Sequence, residues 1–325
     1  TGHLPLNLKF LFEGEEEILS PDMPAFIQAN RARLACDLVV SADGWQWSET
    51  ESDLRVGLRG VCSLEIDVTG PLRDLHAGSH GGAVANPIHA LTAMLASLRD
   101  AEGRIQVPGF LDRVRPLTAA ERASLASIPF DEEAYRTGLG VPALAGEPGF
   151  SPRERIGTRP TIEVNGIWGG YAGPGVKTIV PASAHAKLTC RLVADQRPDE
   201  SAAAVVRHLE RAAPLGVRAT VRILPNAGWP YEASADHPGY RAARDVLVGL
   251  YGREPYYTRS GGSIPIVSLF HQELGVPTVI FGFGLPDENF HAPDEFFRLA
   301  SFRRGQTAYV RLLLRLGDRE SWKTA

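Results

Sequence analysis

Sulfur-containing residues are scarce in this sequence. Its 325 residues include only three cysteines, Cys36, Cys62 and Cys190, and two methionines. The cysteines are odd in number and far apart, so they form neither a disulfide framework nor a metal knuckle. This usage fits a reducing compartment, and we predict a cytoplasmic protein.

The sequence also lacks long apolar runs and an excess of one charge. No apolar stretch approaches the ~20 residues that a transmembrane helix needs, which predicts no membrane contact. The net charge is −4 and the basic residues are dispersed, so a nucleic-acid partner is not expected. The hydrophobic fraction of 44% is typical of a globular protein, and the length allows two domains.

The hydrophobic pattern differs between two parts of the chain. Apolar runs at 6–12 and 35–41 predict buried strands of an α/β sheet, with a helix at about 22–33 between them. Residues 58–228 contain alternating strands and amphipathic helices, which indicate a separate α+β domain. We therefore predict one α/β domain, formed by residues 1–57 and 229–325, interrupted by an inserted domain at 58–228.

Acidic side chains follow both predicted strands of the first segment. The run 13–17 reads EGEEE, and Asp43 lies just after the strand at 35–41. Because carboxyl ends of parallel strands meet at one sheet edge, a ligand site is expected there. Alone, the acidic run is equally a solvated turn, and an Asp before Gly is a common turn residue.

Three further loops carry polar residues suited to chemistry. Residues 282–295 form a glycine-rich loop that contains His291, and imidazole is a common zinc ligand. Residues 73–82, RDLHAGSHGG, form either a ligand-approaching loop or a flexible connector. Residues 259–265, RSGGSIP, precede a predicted helix and suggest an anion pocket, although a tight loop with Ser263 as the helix N-cap explains them equally well.

Taken in order, these segments resemble the zinc aminoacylase, carboxypeptidase and dipeptidase family, in the branch of cytosolic non-specific dipeptidases and carnosinases. The matching segments are EGEEE, SADG, LRG, RDLHAGSHGG, KTIVPASAHAKLTCRLV, RSGGSIP and NFHAPDE. Each motif alone is weak evidence for the family, but all of them occur in the family's order over nearly the whole chain. The resemblance implies a catalytic domain of the zinc-peptidase type, an inserted lid and dimerisation domain, and a homodimer that hydrolyses small peptides.

The resemblance also implies roles for individual residues. Two divalent metal ions, zinc first and manganese or cobalt as alternatives, would activate a shared water. The residues concerned are the general base Glu16, the metal ligands Glu17, Asp43 and His291, the lid histidine His76 that reaches the partner subunit's site, and the substrate-binding Arg191, Thr178, His237, Gly262 and Ser263.

The sequence departs from the family pattern in two places. The family's His-x-Asp motif and its bridging Asp should precede EGEEE, and this sequence contains neither, so we expect the chain alone to bind metal poorly and to be inactive. Ser260 stands where the dipeptidases usually have Glu, which bears on substrate preference.

Two other functions fit the same residues. One is an amidohydrolase of the same family that acts on N-acylated amino acids. The other is a metal-free fragment that only dimerises. Dipeptides tested against N-acetyl amino acids separate the first from a dipeptidase, and the coding sequence upstream of this chain tests the second.

Overall fold

The computed structural model describes residues 3–18, 20–225 and 227–318. The helices, numbered in chain order, are α1 (Met23–Ala29), α2 (Arg31–Leu34), α3 (Ala77–His80), α4 (Pro87–Ala96), α5 (Ala119–Ala126), α6 (Glu132–Gly138), α7 (Pro152–Thr158), α8 (Pro198–Ala212), α9 (Pro238–Tyr251), α10 (Pro265–Leu274) and α11 (Leu299–Leu316). The strands are β1 (Val39–Ser41), β2 (Asp53–Leu58), β3 (Gly60–Thr69), β4 (Leu75–His76), β5 (Thr161–Gly169), β6 (Ile179–Val180), β7 (Ser183–Leu192), β8 (Arg218–Ile223), β9 (Tyr231–Glu232), β10 (Tyr256–Ser260) and β11 (Thr278–Ile280).

The chain divides into two compact units. Unit 1 comprises Thr1–Leu58, Leu117–Pro129 and Tyr231–Ala325, and unit 2 comprises Arg59–Pro116 and Phe130–Pro230. The segment Leu117–Pro129, which the sequence analysis assigns to the inserted domain, belongs to unit 1. Leu125 and Ile128 are buried there in one cluster with Tyr256, a contact that no local sequence pattern reveals.

Unit 1 contains a mixed five-stranded sheet with the order β1-β11-β2-β10 and with β9 paired to β2. The pairs β1–β11 and β2–β10 are parallel, whereas β11 and β2 are antiparallel. Helix α9 packs on this sheet through Tyr240, Val246 and Leu247. It begins with the His237 side chain accepting a hydrogen bond from Gly239 N, and it ends at Gly252 in the left-handed conformation.

Unit 2 is an antiparallel sheet covered by helices. Its strands have the order β5-β7-β3-β8, and β3 pairs with β7 over ten consecutive residues from Gly60–Leu192 to Thr69–Ser183. Alternate residues of both strands are buried against α4 and α8, in a cluster that includes Leu64, Leu188 and Leu209. The predicted fold class, an α/β domain interrupted by an inserted α+β domain, is confirmed.

The apolar run at 6–12 is not a strand. Its backbone is irregular, and Phe10 and Phe12 are 76% and 89% exposed. A strand needs neighbours that satisfy its backbone N–H and C=O groups, and no strand of the described part of the chain pairs with this run. The prediction from hydrophobicity alone is therefore wrong here. The second predicted strand, at 35–41, is present as the shorter β1.

Two features of the sequence, its three cysteines and its lack of long apolar runs, can be compared with the structure. All three cysteines are free thiols, and Cys62 and Cys190 are buried directly opposite each other on β3 and β7. Within the described residues, the helices are too short or too polar to span a membrane.

Candidate active site

The loops that follow β1 and β11 meet at one edge of the unit 1 sheet. Because the two strands are parallel neighbours, their carboxyl ends lie side by side. Gln46 N donates to Gly284 O at 2.9 Å, and the Gln46 side chain donates to Gly282 O at 2.7 Å. Gly282 approaches Gly44 so closely that a β-carbon there would lie 2.1 Å from Gly44 O. Only glycine fits at position 282, which brings the loop of Asp43 beside the loop that leads to His291.

Four of the predicted site residues come together at this edge. Glu16 and Glu17 begin a short 3₁₀ turn, and Glu17 Oε1 lies 3.3 Å from His291 Nε2. Burial raises the pKa of Glu16, and the negative charges of Asp43, Glu17 and Glu13 raise it further, against the opposing effect of His291. The site therefore concentrates negative charge.

Asp43 belongs to the same electrostatic group. Burial raises the pKa of its carboxyl group, Arg55 opposes that rise, and Glu17 adds to it. The neighbouring carboxylates thus make the ionised forms of Glu16 and Asp43 less favourable. A bound cation would remove this cost because it neutralises the crowded charges.

The donor types at this edge fit part of a metal centre. Carboxylate oxygen and imidazole nitrogen are the usual ligands of hydrolytic zinc. Glu17 and His291 are both highly exposed, so neither is shielded from an incoming ion. However, no group of three or more His, Cys, Asp or Glu residues in the described part of the chain is arranged to hold a metal ion. A complete centre needs donors beyond those that are assembled here.

His291 is held in a strained backbone conformation. Its φ is 58°, a left-handed value that is uncommon for residues other than glycine. The Glu295 carboxylate accepts a hydrogen bond from His291 N at 3.2 Å. Buried Glu288 fixes the same loop, since its side chain accepts hydrogen bonds from Leu285 N at 2.8 Å and Arg298 N at 3.0 Å.

Sequence reasoning missed a buried arginine behind this edge. Arg55 is 4% exposed on β2, its guanidinium lies 4.1 Å from the centre of the Trp45 ring, and it pairs with Asp53 at 3.2 Å. Its charge acts on Asp43. A charged pair at i and i+2 inside an otherwise apolar strand is the sequence signal that identifies it.

In unit 2, the structure brings His76 and Thr178 together. His76 lies on β4, which pairs with β6, and Ala77 N donates to Thr178 O at 2.9 Å. His76 and Thr178, which immediately precedes β6, are both exposed. Asp74 supports the ribbon by accepting a hydrogen bond from Ala182 N at 3.0 Å.

The remaining predicted residues lie at two helix starts in unit 1 and on one strand of unit 2. His237 caps α9, and burial together with the charge of Arg241 lowers its pKa. Gly262 and Ser263 precede α10, whose N-cap position is held by Ile264 rather than Ser263 and has no side-chain cap. Arg191 lies on β7 and lines a cavity of about 410 Å³ that sequence reasoning did not find.

The chain is similar in sequence to known dipeptidases over more than nine tenths of its length. Residues 56–217 match the peptidase dimerisation domain. The chain is 29% identical over 307 residues to the Cys-Gly metallodipeptidase of Schizosaccharomyces pombe, covering 93% of this chain and 64% of that protein. It is 27% identical over 328 residues to the Beta-Ala-His dipeptidase of Rattus norvegicus, covering 98% of this chain and 65% of that protein. The chain thus spans a little under two thirds of the length of these relatives.

The chain is also similar to a peptidase of known structure. The crystal structure of an M20 family metallo-carboxypeptidase from Sulfolobus solfataricus matches with a TM-score of 0.79 and 30% identity, covering 94% of this chain and 69% of that chain. A likeness over 94% of the chain includes parts of both units. The chain belongs to the M20 family of metallopeptidases.

Proposed function

We propose that the full-length protein is a metal-dependent dipeptidase that hydrolyses dipeptides or short peptides with a free C-terminal carboxylate. The observation that carries this proposal is the convergence of Glu16, Glu17, Asp43 and His291 at one sheet edge, with raised pKa values for Glu16 and Asp43. The similarity to a Cys-Gly metallodipeptidase and to a Beta-Ala-His dipeptidase supports the reaction type.

Glu17, Asp43 and His291 are the residues that would hold metal in this chain. Two divalent ions are expected, zinc first and manganese or cobalt as alternatives, with further ligands from outside the described residues. When bound, such ions supply Lewis acidity to the scissile carbonyl and to the attacking water. The excess negative charge at the edge favours divalent cations over neutral ligands.

Glu16 acts as the general base. Its raised pKa makes the carboxylate a stronger base than an ordinary glutamate. It removes the proton of the attacking water and then delivers that proton to the leaving amine. Its position next to Glu17 in the same turn keeps the base beside the metal-binding residues.

The substrate's ends are held by the other predicted residues. The Arg191 guanidinium suits a terminal carboxylate because it donates two parallel hydrogen bonds. Thr178, His237, Gly262 and Ser263 complete the substrate-binding set. His76 stabilises the tetrahedral intermediate in the partner subunit of a homodimer, and its exposure on the β4–β6 ribbon supports such delivery. A cytoplasmic location remains a prediction from the cysteine usage.

The test uses the full-length, metal-loaded protein and its Glu16→Gln variant. Wild type should hydrolyse dipeptides faster than N-acetyl amino acids. Glu16→Gln should lower kcat by about 10²-fold or more, because the amide cannot accept the water's proton, while the metal content stays the same. A variant with near wild-type kcat would contradict the assigned base, and faster turnover of N-acetyl amino acids would favour an amidohydrolase.

The dimer model is tested by mixing inactive variants. Glu16→Gln and His76→Ala damage different halves of a site that two subunits share. After subunit exchange, a mixed dimer contains one intact site, so about a quarter of the wild-type activity should return, since half of randomly mixed dimers are mixed and each has one of two sites. If the mixture stays as inactive as its parents, His76 does not act across the interface.

A further inference from the structure

The open face of the unit 2 sheet, on the side away from α4 and α8, carries a row of polar side chains. On β7, Ser183 and His185 alternate with the buried Ala184 and Ala186, so their side chains point away from the helix-covered core. His185 is paired directly with Asp67 on β3. These three polar side chains therefore lie side by side on neighbouring strands, and all of them belong to unit 2.

Ser183, His185 and Asp67 form a hydrogen-bonded chain. The Ser183 Oγ lies 3.0 Å from His185 Nε2, and His185 Nδ1 lies 2.5 Å from Asp67 Oδ1. Because a carboxylate only accepts hydrogen bonds, Nδ1 carries the proton of the neutral imidazole, and Nε2 is left to accept the hydroxyl proton of Ser183. Nucleophile, general base and orienting carboxylate are thus arranged in the order that activates a serine for acyl transfer.

Asp67 is held in the ionised form that this arrangement requires. Burial would raise the pKa of its carboxyl group, but hydrogen bonds from His185 and Arg222 outweigh it and lower the pKa. Arg222 donates to Asp67 Oδ2, the oxygen that His185 does not use, and it also pairs with Glu65 at 3.4 Å. The carboxylate is therefore fixed through both of its oxygens, and it in turn fixes the orientation of the imidazole.

The imidazole also has an aromatic neighbour that is open to solvent. The Trp168 ring on β5 stacks on the His185 ring, with 5.2 Å between the ring centres and 14° between the planes. Trp168 is 45% exposed, and the side chains of His185 and Asp67 are 26% and 21% exposed. A small molecule can therefore reach these side chains, and the indole offers a stacking surface for an aromatic group.

We propose that Ser183, His185 and Asp67 form a metal-independent nucleophilic site that hydrolyses small aryl esters through an acyl-serine intermediate. Ser183 Oγ attacks the acyl carbon while its proton moves to His185 Nε2, and the imidazolium gives that proton to the phenolic oxygen as the ester bond breaks. Water then attacks the acyl carbon, its proton passes through Nε2 to the departing Ser183 Oγ, and the carboxylic acid is released. Asp67 is a positioning residue, because it holds Nδ1 and does not touch the ester.

The backbone around Ser183 favours esters over amides. From Ala184 onward, β7 is paired with β3 on one side and with β5 on the other, so its N–H groups are used in the sheet. They are therefore not available for an oxyanion hole, the stabilising element on which cleavage of an amide depends most. An aryl ester has a better leaving group and needs less of this stabilisation, and its ring can stack on Trp168.

The test measures hydrolysis of p-nitrophenyl acetate by the full-length protein after treatment with EDTA. Ser183→Ala and His185→Gln should each lower the rate about tenfold or more, and the double variant should be no slower than the single ones, because the two side chains act as a unit. Ser97→Ala is the matched control. Ser97 Oγ lies 2.9 Å from His208 Nε2, but no carboxylate among the described residues pairs with His208, so the rate should not change.

A covalent probe tests the site without a substitution. A fluorophosphonate should form an O–P bond with Ser183 and release fluoride in the folded protein but not in urea, and peptide mass spectrometry locates the adduct. Asp67→Asn should slow this labelling about tenfold or more, because the amide leaves the imidazole proton on Nε2, whereas Asp67→Glu keeps a carboxylate and should retain more of the rate. The proposal is overturned if Ser183 is not labelled, if Ser183→Ala hydrolyses the ester as fast as wild type, or if EDTA abolishes ester hydrolysis together with dipeptide hydrolysis.

Discussion

The two units place their functional residues on different kinds of support. In unit 2, Arg191 lies within a ten-residue strand whose pairing with β3 is uninterrupted. In unit 1, Asp43 and His291 lie on loops after three-residue strands, and His291 is followed by seven more loop residues before α11. Groups on long, fully paired strands are fixed by the sheet itself. Groups on loops need anchors of their own.

The same contrast applies to the cavity of unit 2 and the acidic edge of unit 1. Part of the cavity's lining, Thr161 and Glu163 on β5 and Thr189 and Arg191 on β7, lies on paired strands that fix its position. The acidic edge of unit 1 relies on close glycine packing at Gly44 and Gly282 and on the buried carboxylate of Glu288. Such an edge can accept metal and substrate only if those anchors hold the loops in place.

The largest effect is expected from removing the loop anchor of unit 1. Glu288 is fully buried and accepts hydrogen bonds from Leu285 N, Arg298 N and the Arg298 side chain. Glu288→Ala leaves these donors without their acceptor and should lower the free energy of unfolding by about 3–5 kcal/mol. Denaturant unfolding of the full-length protein measures the loss, and hydrogen exchange should show it in the segment that carries His291.

Asp287→Ala is the matched control for this prediction. Asp287 binds the same arginine, with a distance of 2.7 Å to Arg298 Nη2, but its side chain is 70% exposed. The loss should be at most about 1 kcal/mol, as for other surface ion pairs. If Asp287→Ala and Glu288→Ala cost the same, burial is not the source of the anchor's strength.

The same contrast explains where sequence-based prediction works. Residues 184–193 alternate cleanly between apolar and polar, and the structure contains β7 at Ser183–Leu192, because one face of that strand is buried and the other is open. The apolar run at 6–12 gives an equally strong local signal but has no paired neighbour in the described residues. Periodicity reports which face could be buried, and only partners decide whether a strand forms.

Site prediction had a similar limit. The residues with distinctive chemistry, Glu16, Glu17, Asp43 and His291, could be named from motifs, and the structure brings them together. The cavity in unit 2 could not be found in this way, because its lining residues Arg59, Arg155 and Arg191 come from three distant segments without a shared pattern. Clusters that arise only from tertiary packing are invisible to spacing arguments.

A second prediction compares an apolar residue in each unit. Leu188 on β7 is 1% exposed, whereas Phe12 is 89% exposed. In this chain, Leu188→Ala should lower the free energy of unfolding by about 2–5 kcal/mol, because it leaves a cavity in the core of unit 2. Phe12→Ala should change it by less than about 0.5 kcal/mol. Thermal unfolding of both variants gives the comparison, and equal losses would mean that Phe12 is packed rather than exposed.

The smallest expected effect is a pH dependence confined to the open sheet face of unit 2. Burial would raise the pKa of Asp67, but hydrogen bonds from His185, at 2.5 Å, and from Arg222 outweigh it and lower the pKa. A lowered pKa in the folded state contributes stability above the unfolded value of about 3.8, and this contribution disappears as the pH falls through the folded-state pKa. Asp67→Asn should therefore cost at most about 1 kcal/mol at pH 7, and this cost should shrink as the pH falls below 3.8. Urea unfolding of both proteins across this range measures the difference, and a cost that does not change with pH would show that shape rather than charge holds His185 in place.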